Sequence, residues 1–232
     1  MSKRYLTIAL LCGLAGTLLA GCEPVPKQRW NWPWQRHEPD SYPGVRTAQQ
    51  KIEELQALSK KSAQRPAAEL EPSSADLARQ IGQERDPLVR IEIIRTVATW
   101  PTATAEGILT GGLSDPDAEV RTVACEAWGR RGGPLAVQNL TKSMSDDASL
   151  DVRLAAARAM GRTRHPSAVT PLAEALADAD PAMQHRALSS LKEVSGKDLG
   201  SDVEAWRQYA RGEHPAAPAP SIAERLKPWK WF

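Results

Sequence analysis

The dipeptide Val-Arg recurs at Val89-Arg90, Val120-Arg121 and Val152-Arg153, and Met183-Gln184 stands at the next place, at steps of 31, 32 and 31 residues. A chain with such a period must fold as a stack of like units, since one unit of this length cannot bury its apolar face alone. Counted from the Val, the residues four on are Ile93, Ala124, Ala156 and Ala187, and those eight on are Val97, Trp128, Met160 and Leu191. Spacings of four and eight put these columns on one face of a helix. Asp86-Pro87, Asp115-Pro116 and Asp180-Pro181 are helix-start signals before three of these segments. Trp100-Pro101, Gly132-Gly133-Pro134 and His165-Pro166 break the chain after them. Second helices are expected at about 102–113, 135–144 and 167–177, and their apolar residues include Ile108, Leu109, Leu113, Leu135, Val137, Leu140, Val169, Leu172 and Leu176.

The flanks of the array read as its ends. Residues 45–61 carry Ile52, Leu55 and Leu58 and read as an amphipathic capping helix, and 73–84 as the second helix of a degenerate unit. After residue 195, Ser201 and Glu204 fit a capping box, with Leu199, Val203 and Trp206 covering the last unit. Composition agrees with an all-α fold: aromatics are 5%, eight of the twelve are Trp, and a single Phe remains. So few strand-favouring aromatics weigh against a sandwich or barrel.

Units of this length with D-P-x-x-V-R, a small-residue helix, a turn and A-V-x-x-L-x-x-x-L resemble HEAT repeats, and most closely the short HEAT-like repeats named after phycobilisome lyases. The resemblance covers about residues 74–195. GKDLGSDVEAW, from residue 196, resembles a stretch that closes other bacterial HEAT-repeat chains. It implies a right-handed α-solenoid of about four helix pairs (86–195), preceded by capping helices (45–85) and followed by a closing helix (196–213). It also implies that the repeated Arg pairs with an Asp of the next unit: Arg90, Arg121 and Arg153 with Asp115, Asp146 and Asp178, each 26 residues beyond the Val.

The N-terminus reads as an address. Lys3 and Arg4 precede an uncharged run from Tyr5 to Gly21, the layout of a secretory signal. Leu19-Ala20-Gly21-Cys22 resembles a bacterial lipobox, which implies a signal over 1–21, cleavage before Cys22 and acyl chains on its sulfur. Burial of an acyl chain is worth about 0.8 kcal/mol per CH₂, and two or more chains anchor stably. The expected location is the cell envelope, outside the cytoplasm, on a membrane not specified by the sequence. Cys12 leaves with the signal and Cys22 is consumed, so Cys125 alone remains and no internal disulfide forms.

Two segments flank the array. Residues 22–44 are rich in Pro and Trp and read as an extended linker. Residues 214–232 are a Pro/Ala linker and a Trp-rich tail. Trp30, Trp32 and Trp34, with Trp229, Trp231 and Phe232, lie among basic residues. Both clusters read either as contact with a membrane interface or as packing along the folded array, and the tail also as a short docking peptide.

Removing Lys3 and Arg4 leaves 28 basic and 28 acidic residues. A net charge of zero offers no field for nucleic acid. The four His are far apart, and neither a phosphate loop nor a nucleophile elbow occurs. No metal site, cofactor or catalytic constellation is expected, and Cys125, in an apolar column, reads as a buried, inert thiol. The polar column six residues after the Val (Arg95, Glu126, Arg158, Ser189) is expected to face outward. Arg130, Arg131, Arg162 and Arg164 cluster where the same helices end. A charged ladder beside a basic edge suits an acidic segment of a partner. The chain therefore reads as a monomeric, non-enzymatic, lipid-anchored scaffold that binds a protein or peptide. A bilin-lyase-like enzyme or chaperone and a purely structural envelope component are the alternatives.

Overall fold

A computed structural model describes residues 46–62 and 65–213; the lipobox Cys22 and the Trp-rich segments lie outside them. Among the described residues ten α-helices follow one another: α1 Ala48–Ser62, α2 Ala67–Gln83, α3 Pro87–Val97, α4 Ala103–Gly112, α5 Ala118–Arg131, α6 Gly133–Asp146, α7 Leu150–Thr163, α8 Val169–Ala175, α9 Pro181–Ser195 and α10 Val203–Ala210. A 3₁₀ turn, Pro166–Ala168, leads into α8. The described residues contain no strand.

The starts of the helices follow short polar side chains. Asp86 accepts from the Leu88 amide at the head of α3, and Asp180 from the Ala182 amide at the head of α9. At α5 the cap is Asp117, which accepts from Glu119 and Val120, and the predicted Asp115 serves the preceding turn instead. At α10 the cap is Asp202, not Ser201. In both cases the carboxylate one or two residues nearer the helix reaches two free amides at once. Helix α2 begins at Ala67, earlier than the expected 73, and runs through Pro72.

The helices form two rows. Odd-numbered helices pack side by side, α1 on α3, α3 on α5, α5 on α7 and α7 on α9. Even-numbered helices cover one side of that row, and their spacing is looser: α2 meets α4 and α8 meets α10. Helix α1, expected as a separate cap, thus takes the place of a first helix in the row.

The three expected columns are the core. Val89, Ile93 and Val97, Val120, Ala124 and Trp128, Val152, Ala156 and Met160, and Met183, Ala187 and Leu191 are all at most 1% exposed. The second helices add Leu109, Leu140 and Leu172, also fully buried. Leu135, also apolar, is exposed, because the buried stripe of α6 runs through Ala136, Val137, Leu140 and Met144, and Leu135 falls off it.

Small residues set the row spacing. A Cβ added to Gly129 on α5 would lie 2.8 Å from the Cβ and the carbonyl oxygen of Ala159 on α7. The contact recurs one unit on, where a Cβ at Gly161 would meet Ser190 of α9 at 2.9 Å. Three Trp fill the larger spaces. Trp100 donates its ring N–H to Ser62 Oγ at 3.0 Å, and Trp206 donates to the Gly200 carbonyl at 3.1 Å. Trp128 Nε1 is buried without a partner among the described residues, a cost of about 1–3 kcal/mol that its packing must offset.

Candidate interaction surface

One side of each odd helix is committed to holding the stack together. Arg90 donates from Nε and Nη2 to both carboxylate oxygens of Asp115, each at 2.8 Å. Its Nη1 reaches back to the carbonyls of Glu84 and Arg85. Arg121 repeats the pattern, forward to Asp147 at 2.8 and 3.0 Å and back to the carbonyls of Asp115 and Pro116. Each guanidinium therefore ties the loop before its own helix to the loop before the next.

The carboxylate in this chain of contacts is the residue five before the next unit's Val. Asp115, Asp147 and Asp178 occupy that place, and each accepts the amide two residues on. The expected Asp146 is not a rung: it is exposed and accepts from Ser145 Oγ. The unit holding it is one residue longer, and the shift follows from that residue. Nor do Arg153 and Asp178 form an ion pair. Arg153 keeps only the backward bond, to the Asp147 carbonyl at 3.1 Å. The helix that delivers Asp178, α8, has seven residues where α6 has fourteen, and it starts from a 3₁₀ turn.

The ladder also has an end that the Val-Arg pattern does not reveal. Lys51 on α1 bonds Glu84 Oε2 at 2.7 Å, and Glu84 stands five before Val89. At the far end Gln184 takes the Arg position and donates to the Asp178 carbonyl at 2.7 Å.

Electrostatics agree with the geometry. Burial acts to raise Asp115, but the Arg90 guanidinium and the Asp117 amide outweigh it and hold the carboxyl below its usual value. Asp147 is lowered by the Arg121 hydrogen bonds against the opposing effect of burial. In Glu84, burial is again outweighed by Lys51 and the Asp86 amide.

The opposite side of the odd helices is the candidate surface. Arg95 on α3 and Arg158 on α7 are exposed, and Glu126 on α5 and Ser189 on α9 are partly exposed. Arg95 lies 3.7 Å from Glu92 of its own helix. Arg130, Arg162 and Arg164 are exposed at the helix ends. Arg131, expected with them, is part of the frame: it donates to the Trp100 carbonyl at 2.8 Å and to Glu106 Oε1 at 2.9 Å. Arg164 ends α7 with φ 50°, in the left-handed region, where the preceding unit has Gly132 at φ 70°. An open groove of about 500 Å³ lies between α2 and α4, lined by Ile81, Gly107, Ile108 and Gly111, with Arg90 and Asp115 at one end.

Cys125 is fully buried. Burial pushes its thiol up to about 12, against a hydrogen bond to Ser143, so it carries no nucleophilic thiolate near neutral pH. No group of three or more His, Cys, Asp or Glu stands together for a metal ion, and no helix is long and apolar enough to cross a membrane, among the described residues.

Two helical rows tied by a repeated ion-pair ladder, with a second face free of structural duties, define an α-solenoid of the protein-interaction class. The family pattern of HEAT repeats matches residues 75–160 and 140–207, more than half of the chain, and the protein belongs to the HEAT-repeat family. No curated protein matches the chain in sequence.

Proposed function

We propose that the chain is a non-enzymatic scaffold, tethered to a membrane of the cell envelope through acyl chains on Cys22 and binding a protein or peptide as a monomer. The observation that carries the binding half is the division of labour on the odd helices. One side holds the repeated Arg–carboxylate ladder, while the other presents Arg95, Arg130, Arg158 and Arg162 to solvent. A rigid frame with an unused charged face is what a docking surface requires. The buried Cys125, its thiol raised to about 12, weighs against a lyase that would hold a tetrapyrrole on that sulfur.

The tether rests on the resemblance of Leu19-Ala20-Gly21-Cys22 to a lipobox behind a complete signal. Labelled palmitate should be incorporated by the wild type and not by Cys22→Ser, and the variant should leave the membrane fraction. Crosslinking in native cells, followed by capture from that fraction and mass spectrometry, tests the scaffold. One dominant partner crosslinked to the odd helices supports it. Scattered envelope proteins at low yield favour a structural component instead.

A further inference from the structure

We infer that Arg130, Arg158 and Arg162 act together as a docking patch for an acidic segment of a partner protein. This rests on the scaffold reading above and narrows it to one place and one chemistry.

The patch is built by the contact of α5 with α7. Gly129 sits directly on the backbone of Ala159. Arg130 follows Gly129 in the chain and Arg158 precedes Ala159, so the two side chains leave from either flank of that contact. Arg162 lies one turn beyond Arg158 on the same face of α7, about 6 Å along the axis. All three are exposed. The ion pairs among the described residues employ other arginines, so these three have no ionic partner there. Arg131, adjacent to Arg130, is by contrast held by Glu106 and the Trp100 carbonyl.

Charge around the patch stays positive. The carboxylates that face it are Glu126, one turn before Arg130 on α5, and Glu193, at the matching position of α9. Arg130 and Arg162 stand in the last turns of their helices, where a cation complements the helix dipole. That accounts for two of the three positions and not for Arg158, which is a turn further in.

A guanidinium is a planar fork that takes both oxygens of a carboxylate. Packed helix axes lie roughly 8–10 Å apart, and a polyproline-II segment has three residues per turn with a rise of about 3.1 Å per residue. Acidic residues three apart on such a segment share one side and therefore reach α5 and α7 in turn. Single exposed ion pairs are weak, so the three arginines must work as a group, and the contact must be sensitive to salt.

The test uses the full lipidated protein in neutral detergent micelles and a fluorescent peptide with Glu at every third position. A peptide with Gln in those places is the control. The wild type should bind the Glu peptide at low salt. Reversal of all three residues (Arg130→Glu, Arg158→Glu, Arg162→Glu) should weaken it by about tenfold or more, while the thermal melt stays cooperative and moves down by only a few degrees. Lys142→Glu, at an exposed position on α6, should bind as the wild type does. No binding of the Glu peptide, equal binding of the Gln peptide, or an unaffected triple variant overturns the patch. Crosslinking of Arg130, Arg158 and Arg162 to photoactivatable phosphatidylglycerol in the micelles, with the Glu peptide left unbound, assigns the arginines to lipid and overturns it as well. Capture from cells separates the two readings. A partner retained by the triple variant leaves the scaffold standing without this patch, and no partner for the wild type removes both.

Discussion

Arg121 closes a two-pronged ion pair on Asp147, with Nε to Oδ2 at 2.8 Å and Nη2 to Oδ1 at 3.0 Å, and leaves Asp146 in solvent. Neighbouring residues of one chemical type thus have different roles. Asp147→Asn should cost about 1–3 kcal/mol, because it leaves a mostly buried guanidinium without its charge partner. Asp146→Asn should stay within about 0.5 kcal/mol of the wild type. Urea unfolding of the two variants measures the difference, and equal costs would contradict the register described here.

The ladder also makes stability depend on pH in one direction. Glu84, Asp115 and Asp147 are all lowered in the folded protein. The folded state therefore binds fewer protons than the unfolded chain through the acid range. Their contribution is present above the unfolded carboxylate values of about 4 and is lost as pH falls through the lower folded values. Urea midpoints should be flat from neutral pH to about 5 and should fall below about pH 4. In Asp147→Asn the acid slope should be shallower.

Two helix glycines should respond in opposite ways. Gly129→Ala drives a methyl group into the backbone of Ala159 and should cost about 1–3 kcal/mol by forcing α5 and α7 apart. Gly107 on α4 has open space where its Cβ would stand, so Gly107→Ala should stabilise by roughly 0.5–1 kcal/mol through helix propensity. Thermal melts of the two variants are the measurement.

Arg164 holds a left-handed backbone conformation at φ 50°, which a residue with a Cβ adopts at a cost of roughly 1 kcal/mol. Arg164→Gly should raise the stability by up to that amount. Thermal melts of Arg164→Gly and the wild type are the measurement.

The buried thiol gives a kinetic prediction. Cys125, pushed up to about 12, should react with a disulfide reagent at pH 8 only in step with unfolding, and at once in denaturant. Immediate reaction of the folded protein would mean that the α5 core opens more readily than its packing implies.

Fold class and core were readable from the repeat because they depend on local period. Three buried columns at spacings of four and eight report helix geometry, which the chain carries in its own order of residues. The paired carboxylates were only partly readable. Counting forward from Val120 reaches Asp146, while counting back from Val152 reaches Asp147. Only the second count survives the extra residue of the longer unit, since the loop that holds the carboxylate is anchored to the helix after it. Lys51 and Glu84 were not found because neither matches Val-Arg or Asp, although Glu84 stands five before Val89.

What the sequence determined by itself was the helical repeat, its register and the burial of the Val, Ala and Met/Trp columns, because these follow from short-range spacing and side-chain polarity. Tertiary structure decided which arginines were used up. Arg131 and Arg130 are adjacent and identical in type, yet Arg131 is drawn 25 residues back along the chain to Glu106 and Arg130 is left in solvent. Partner choice of that kind depends on where two helices from different units meet, and only the packing of the rows brings those positions together.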